Sequence, residues 1–166
     1  MNERDLELRQ QAWNYFEMHG NQRLTTFNFY IVISSVVATA LFTVLTSSAP
    51  RIGWLPGGLL IFFSFVFYKL DSRNAELIKG AEAALKYFEQ NSGLQDADAG
   101  PEPHAAKIFM REEVRTNARK RKKSLLFWRN HLSFSDCFCI IFISFGLTGL
   151  VGIVLSLDPA IKLLVR

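Results

Sequence analysis

The sequence predicts an all-α integral membrane protein with three transmembrane helices and a cytoplasmic helical hairpin. Three observations carry this. Apolar runs of helical length fall at 27–49, 52–68 and 132–157. Mean hydropathy is +0.13 although 20% of residues are charged, so charge and apolar content are segregated along the chain. Lysine and arginine are unevenly placed: three in 1–26, one in 49–53, thirteen in 69–131 and two after 157. Lipid offers backbone N–H and C=O groups no partner, so each spanning run must be helical. About 20 residues at 1.5 Å rise cross a hydrocarbon core of roughly 30 Å. The first and third runs meet that length. The second meets it only if 54–70 is used in full. The positive-inside rule then places 1–26 and 69–131 on the cytoplasmic side of the inner membrane, with 49–53 and the C-terminus outside.

Residues 1–25 are expected to form a cytoplasmic helix, with Leu6, Trp13 and Phe16 roughly on one side. Gly20 and Asn21 predict a break or kink before the membrane.

Residues 26–70 are expected to form a two-span hairpin. Span 1, about 26–48, is rich in Ser34, Ser35, Ala38, Thr39, Thr43 and Thr46. Small residues let helix backbones approach, and hydroxyls bond back to their own backbone. This span is therefore predicted to be packed, with little lipid exposure. The turn SSAPRIG (47–53) is short, so the spans should be tightly antiparallel. Trp54 suits the outer aromatic belt and Pro56 the first helical turn, while Gly57 and Gly58 loosen that end. Phe62, Phe63, Phe65 and Phe67 give span 2 a lipid-facing or inter-subunit look. Tyr68 and Lys69 close it, the lysine able to snorkel.

Residues 71–131 are expected to form a cytoplasmic helical hairpin around a loop at 91–104. Nothing breaks the helix at the membrane boundary, so LLIFFSFVFYKLDSRNAELIKGAEAALKYFE (59–89) reads as one helix passing from bilayer into water. Beyond the boundary, Leu70, Asn74, Leu77, Ala81, Ala84 and Phe88 form a heptad-like stripe. NSGLQDADAGPEPH is the clearest loop. A second helix, about 105–129, returns to the membrane. Its basic cluster, Arg115, Arg119, Lys120, Arg121, Lys122 and Lys123, is suited to anionic lipid headgroups. Nucleic acid is not the expected partner, because no aromatic stacking residues are interleaved.

Residues 132–157 form the third span. Ser135, Cys139, Gly146 and Gly149 lie on a stripe of mostly small residues, and Gly152 adds a second thin spot, a pattern suited to close helix packing. Residues 158–166 are left as a short external tail. Cys137 and Cys139 point to different helix faces and cannot pair with each other.

The candidate functional residues are charges at the inner boundary: Glu17, Arg23, Lys69, Asp71, Arg73, Asn74 and Asp136. Asp71 and Asn74 share a helix face and can pair with helix 1 through Glu17 or Arg23. Such a group is an interfacial ion-pair network or a gate that reads those charges. An acid inside an apolar segment is a functional hypothesis by default, but Asp136 sits one turn from the interface, which favours a solvated or paired carboxylate over a proton relay. The three histidines lie in different segments and the cysteines lack ligand spacing, so no metal site is expected. No phosphate loop or catalytic triad appears, so no cofactor, catalytic residue or enzymatic activity is expected.

A cytoplasmic helix, a tight two-span hairpin, and a second span running into FYKLDSRNAELIKGAEAAL (67–85) resemble the SLATT-type membrane effectors of bacterial defence loci. The plan is also similar to small octameric membrane proteins of the RipA kind. The resemblance covers about residues 10–90. It implies an oligomeric membrane effector, often a pore, controlled by a partner that senses infection. The expected function is thus a non-enzymatic, homo-oligomeric inner-membrane effector, a pore-forming or membrane-perturbing assembly gated from the cytoplasm. The alternative is a membrane-anchored adaptor whose hairpin docks a soluble cytoplasmic partner. A small transporter is third.

Overall fold

The computed structural model describes residues 3–47, 49–91, 107–121 and 133–157. These form helix α1 (Glu3–Thr46), a 3-10 turn (Pro50–Gly53), α2 (Trp54–Gln90), α3 (Ile108–Arg121) and α4 (Phe134–Leu157). Among the described residues there is no strand. Three helices, α1, α2 with the turn before it, and α4, are long and apolar enough to cross a membrane. The tail at 158–166 and most of the loop at 91–104 lie outside the described residues.

The expected break at Gly20–Asn21 does not occur, and α1 runs unbroken through both residues. A helical glycine costs about 1 kcal/mol relative to alanine. With no proline nearby, each flanking residue still adds a hydrogen bond, and the helix propagates.

The chain divides into two compact units. The apolar unit comprises 22–73 and 132–166, and the polar unit 1–21 and 74–131. Helices α1 and α2 contribute residues to both.

The core of the apolar unit is aromatic. Tyr30, Phe138 and Phe142 are buried, with Phe27, Phe63, Phe67 and Phe145 packed against them. Phe27 stacks on Phe138 at 3.9 Å between centroids and 11° between planes. Phe63 and Phe67 therefore face inward, and only Phe62 and Phe65 of the four span 2 phenylalanines are largely exposed. Tyr30 shares a buried hydrogen bond of 2.9 Å with Ser64, which satisfies a phenol that apolar surroundings would otherwise strand.

Glycines set the helix approach. A Cβ on Gly149 would lie 2.5 Å from the Gly57 carbonyl oxygen and 2.9 Å from Leu60. One on Gly152 would strike Leu41, and one on Gly146 would meet Ser64 at 3.6 Å. The small stripe of α4 thus packs within the chain. Gly57, expected to loosen its end of the span, is instead a contact point.

The expectation for span 1 is also corrected. Ser35, Thr39, Thr43 and Thr46 are exposed on α1. Their hydroxyls donate to the carbonyls of Ile31, Ser35, Thr39 and Phe42. Self-bonding lets a hydroxyl face an apolar medium, so polarity alone does not drive these side chains inward.

In the polar unit, Ala81 and Leu85 of α2 are buried. Trp13 and Phe16 meet Phe109 edge-on at 6.4 and 5.5 Å. Helix α3 begins at Ile108, later than the expected 105, because Glu89 holds its first turn. The two Glu89 carboxylate oxygens accept the Phe109 and Met110 N–H groups at 3.1 and 3.0 Å.

Candidate functional site

The strongest polar constellation lies where the apolar run of α2 gives way to its charged half. Three helices of the apolar unit meet there through one guanidinium. Arg23 on α1 donates from Nε to Asp71 Oδ1 at 2.6 Å and from Nη2 to Asp71 Oδ2 at 2.9 Å. The same Nη2 donates to Ser135 Oγ on α4 at 2.9 Å. The guanidinium carbon sits 5.1 Å from the centre of the Phe138 ring. Both charged side chains are mostly buried, at 13% and 12% exposure. The planar fork of arginine matches a carboxylate with two parallel bonds, which a lysine cannot do. Phe138 adds a cation–π face and screens the pair from solvent.

The local sequence explains each position. Asp71 falls about three turns beyond the buried Leu60, on the same inward side of α2 as Ser64 and Phe67. Ser135 and Phe138 are one turn apart at the start of α4. That start is defined by a capping pair: Asp136 Oδ2 accepts the Ser133 backbone N–H at 3.0 Å. Ser133 precedes the first helical residue and Asp136 is the third, the spacing of a capping box. Asp136 is thus a structural cap, exposed, and its role explains why the helix begins at Phe134 rather than 132.

Of the other boundary residues, Lys69 and Arg73 are exposed on α2, Glu17 is exposed on α1, and Asn74 is buried. Lys69 Nζ lies 5.9 Å from the centre of the Phe65 ring. Arg115, Arg119, Lys120 and Arg121 belong to the last turns of α3, and Lys122 and Lys123 lie outside the described residues. Cys139, Gly146, Gly149 and Gly152 all take part in the face of α4 that is buried or half-buried, while Ser135 is exposed at its end.

The polar unit carries a second charge cluster. Lys86 pairs with Glu82 at 3.0 Å and with Glu113 at 3.2 Å. Burial pulls the Lys86 ammonium down, but the two carboxylates outweigh it and hold its pKa above the ordinary lysine value. Beside it, Leu6, Trp13, Leu85, Ile108 and Phe109, with Arg9, line an open groove of about 390 Å³.

Sequence reasoning missed three features. The Ser-x-x-Asp spacing at 133–136 was readable as a capping box. A tyrosine inside an apolar run signals a hydroxyl partner, here Ser64. Nothing local marks Glu89 as the cap of a helix that starts only at Ile108. Among the described residues, no group of three His, Cys, Asp or Glu side chains is placed to hold a metal ion.

Fold and site together define a small helical protein whose apolar three-helix unit is closed at one end by a shared arginine. No family model and no solved structure matches the chain. CD-NTase-associated protein 19 of Escherichia coli is 31% identical over 163 residues, covering 96% of this chain and 95% of that protein. The chain belongs to the CD-NTase-associated protein 19 family.

Proposed function

We propose that the chain is a non-enzymatic, homo-oligomeric inner-membrane effector of antiphage defence, which permeabilises the membrane when a cytoplasmic partner releases it. The relationship to a CD-NTase-associated protein fits a defence role. The resemblance in layout to SLATT-type and RipA-like proteins, read from residues 10–90 of the sequence, points the same way. One observation carries the mechanism: Arg23 ties α1, α2 and α4 together at a single boundary point. A lock of that kind holds a closed bundle, and its release lets the helices shift. The exposed hydroxyl file Ser35–Thr39–Thr43–Thr46 supports a polar path, because in an oligomer it offers lone pairs to water or ions. The N-terminus and the 71–131 hairpin face the cytoplasm in this reading, and α3 with its basic stretch lies against anionic lipid. Purified protein in liposomes is expected to release a small dye on activation. A strictly monomeric, impermeable protein overturns the proposal.

A second reading rests on the groove of the polar unit. Leu6 and Ile108 on its walls are 55% and 68% exposed, and such apolar surface suits a protein partner. In this reading the chain is an anchored adaptor, and the name of its relative makes a CD-NTase the candidate partner. Deleting 91–123 then abolishes partner capture and leaves the oligomer intact.

A further inference from the structure

The outward side of α2 carries two cations that the Arg23–Asp71 pairing leaves uncompensated. At about 100° per residue, positions 62, 65, 69 and 73 share one face of α2, and position 71 falls on the opposite face. Asp71 is turned inward to Arg23. It therefore does not neutralise Lys69 and Arg73, which are exposed one turn apart and make no ion pair among the described residues. The next acid on their face, Glu76, lies three residues beyond Arg73, away from the apolar run. On the other side the face continues into Phe62 and Phe65, 59% and 61% exposed. The Lys69 ammonium leans back over Phe65, the direction helical side chains take, and so sits at the junction of the apolar and cationic surfaces.

An exposed aromatic surface ending in two unneutralised cations is complementary to an anionic amphiphile. We infer that this face of α2 is a binding site for an anionic phospholipid. The phosphate sits between the Lys69 ammonium and the Arg73 guanidinium, and an acyl chain lies along Phe62 and Phe65. Arginine takes two phosphate oxygens as a fork and lysine acts as a point charge. A soluble anion leaves the aromatic half of the face unused, so the occupant is a lipid. The inference rests on the reading that α2 crosses the bilayer, and it does not depend on pore activity.

Native mass spectrometry of the full chain in detergent, with added phosphatidylglycerol or phosphatidylcholine, tests the site. Wild type is expected to retain phosphatidylglycerol in preference. Lys69→Gln and Arg73→Gln should each weaken that preference about fivefold, and the double variant about 25-fold, while Lys69→Arg retains it. Arg51→Gln, at the other end of the span, is expected to change nothing. A double variant with wild-type helicity and undiminished preference overturns the site and assigns the lipid to the basic stretch 115–123. Displacement of phosphatidylglycerol by millimolar inorganic phosphate also overturns it. Equal retention of the two lipids, or retention of neither, overturns this site alone, whereas the spanning reading is tested separately by cysteine labelling at positions 47 and 72.

Discussion

Arg23 and Asp71 are 48 residues apart and meet through two hydrogen bonds of 2.6 and 2.9 Å. The pair is mostly buried, so loss of one partner leaves a charge without its counter-charge. Asp71→Asn is expected to destabilise the apolar unit by about 2–3 kcal/mol. Arg23→Lys should cost about 1 kcal/mol, since a lysine replaces a fork with one point contact. Thermal unfolding in detergent measures both. In liposomes, Asp71→Asn should leak dye without activation if the pair is the lock. A tight vesicle population with this variant argues against that role.

The close approach of Gly57 and Gly149 makes a contrast between neighbours. Gly149→Ala places a methyl group 2.5 Å from a backbone oxygen, and overpacking of this kind costs about 1–3 kcal/mol. Gly58→Ala meets nothing within 4 Å and should be neutral, or stabilising by up to about 1 kcal/mol. Equal melting temperatures for the two variants would contradict this packing.

Glu89 holds the first turn of α3 by its carboxylate. Glu89→Ala should cost the polar unit about 1 kcal/mol, and the loss should appear as faster amide exchange at Phe109 and Met110. The neighbouring Lys86 pair behaves differently with pH. Its folded pKa is raised, so its contribution is fully present below the ordinary lysine pKa and is lost only as pH rises through the raised value. Lys86→Gln should thus weaken the unit by the same amount at pH 6 and pH 8.

The hydroxyls of Thr39 and Thr43 bond to their own helix. Thr39→Val with Thr43→Val is expected to leave helicity and melting of the single chain within about 0.5 kcal/mol of wild type. Dye release by the activated oligomer should fall, because the polar file is gone. Undiminished release would remove these residues from the proposed path.

Topology is checked by single cysteines at Ser47 and Ser72, introduced after replacing Cys137 and Cys139 with alanine. An impermeant thiol reagent should label Ser47→Cys from outside the cell and Ser72→Cys only after permeabilisation. Labelling of both from one side would mean that 54–70 does not cross.

Much of the architecture is legible in the chain itself. The helical character and the three apolar segments follow from run length and hydropathy, which are local. The start of α4 is equally local, in Ser133 and Asp136, although the apolar run alone points to 132. The errors about which side chains of spans 1 and 2 face inward have one cause. Phe63 and Phe65 are chemically identical and two residues apart, yet one packs inward and one faces out, because a helix turns about 200° between them. Which face is inward depends on where α1 and α4 lie.

Helical character, three segments apolar enough to span a membrane, and the gathering of positive charge between the second and third are all written in the order of residues along the chain. Those properties belong to each segment's own residues and need no partner. Packing of the helices is what brings Arg23 to Asp71 and Ser135, and Gly57 to Gly149. The same packing turns most hydroxyls of span 1 outward, and Lys69 and Arg73 make no ion pair among the described residues. The Arg23 contacts depend on atoms brought within about 3 Å from positions 48 and 112 residues away, and hydrogen bonds and close packing act only at that range.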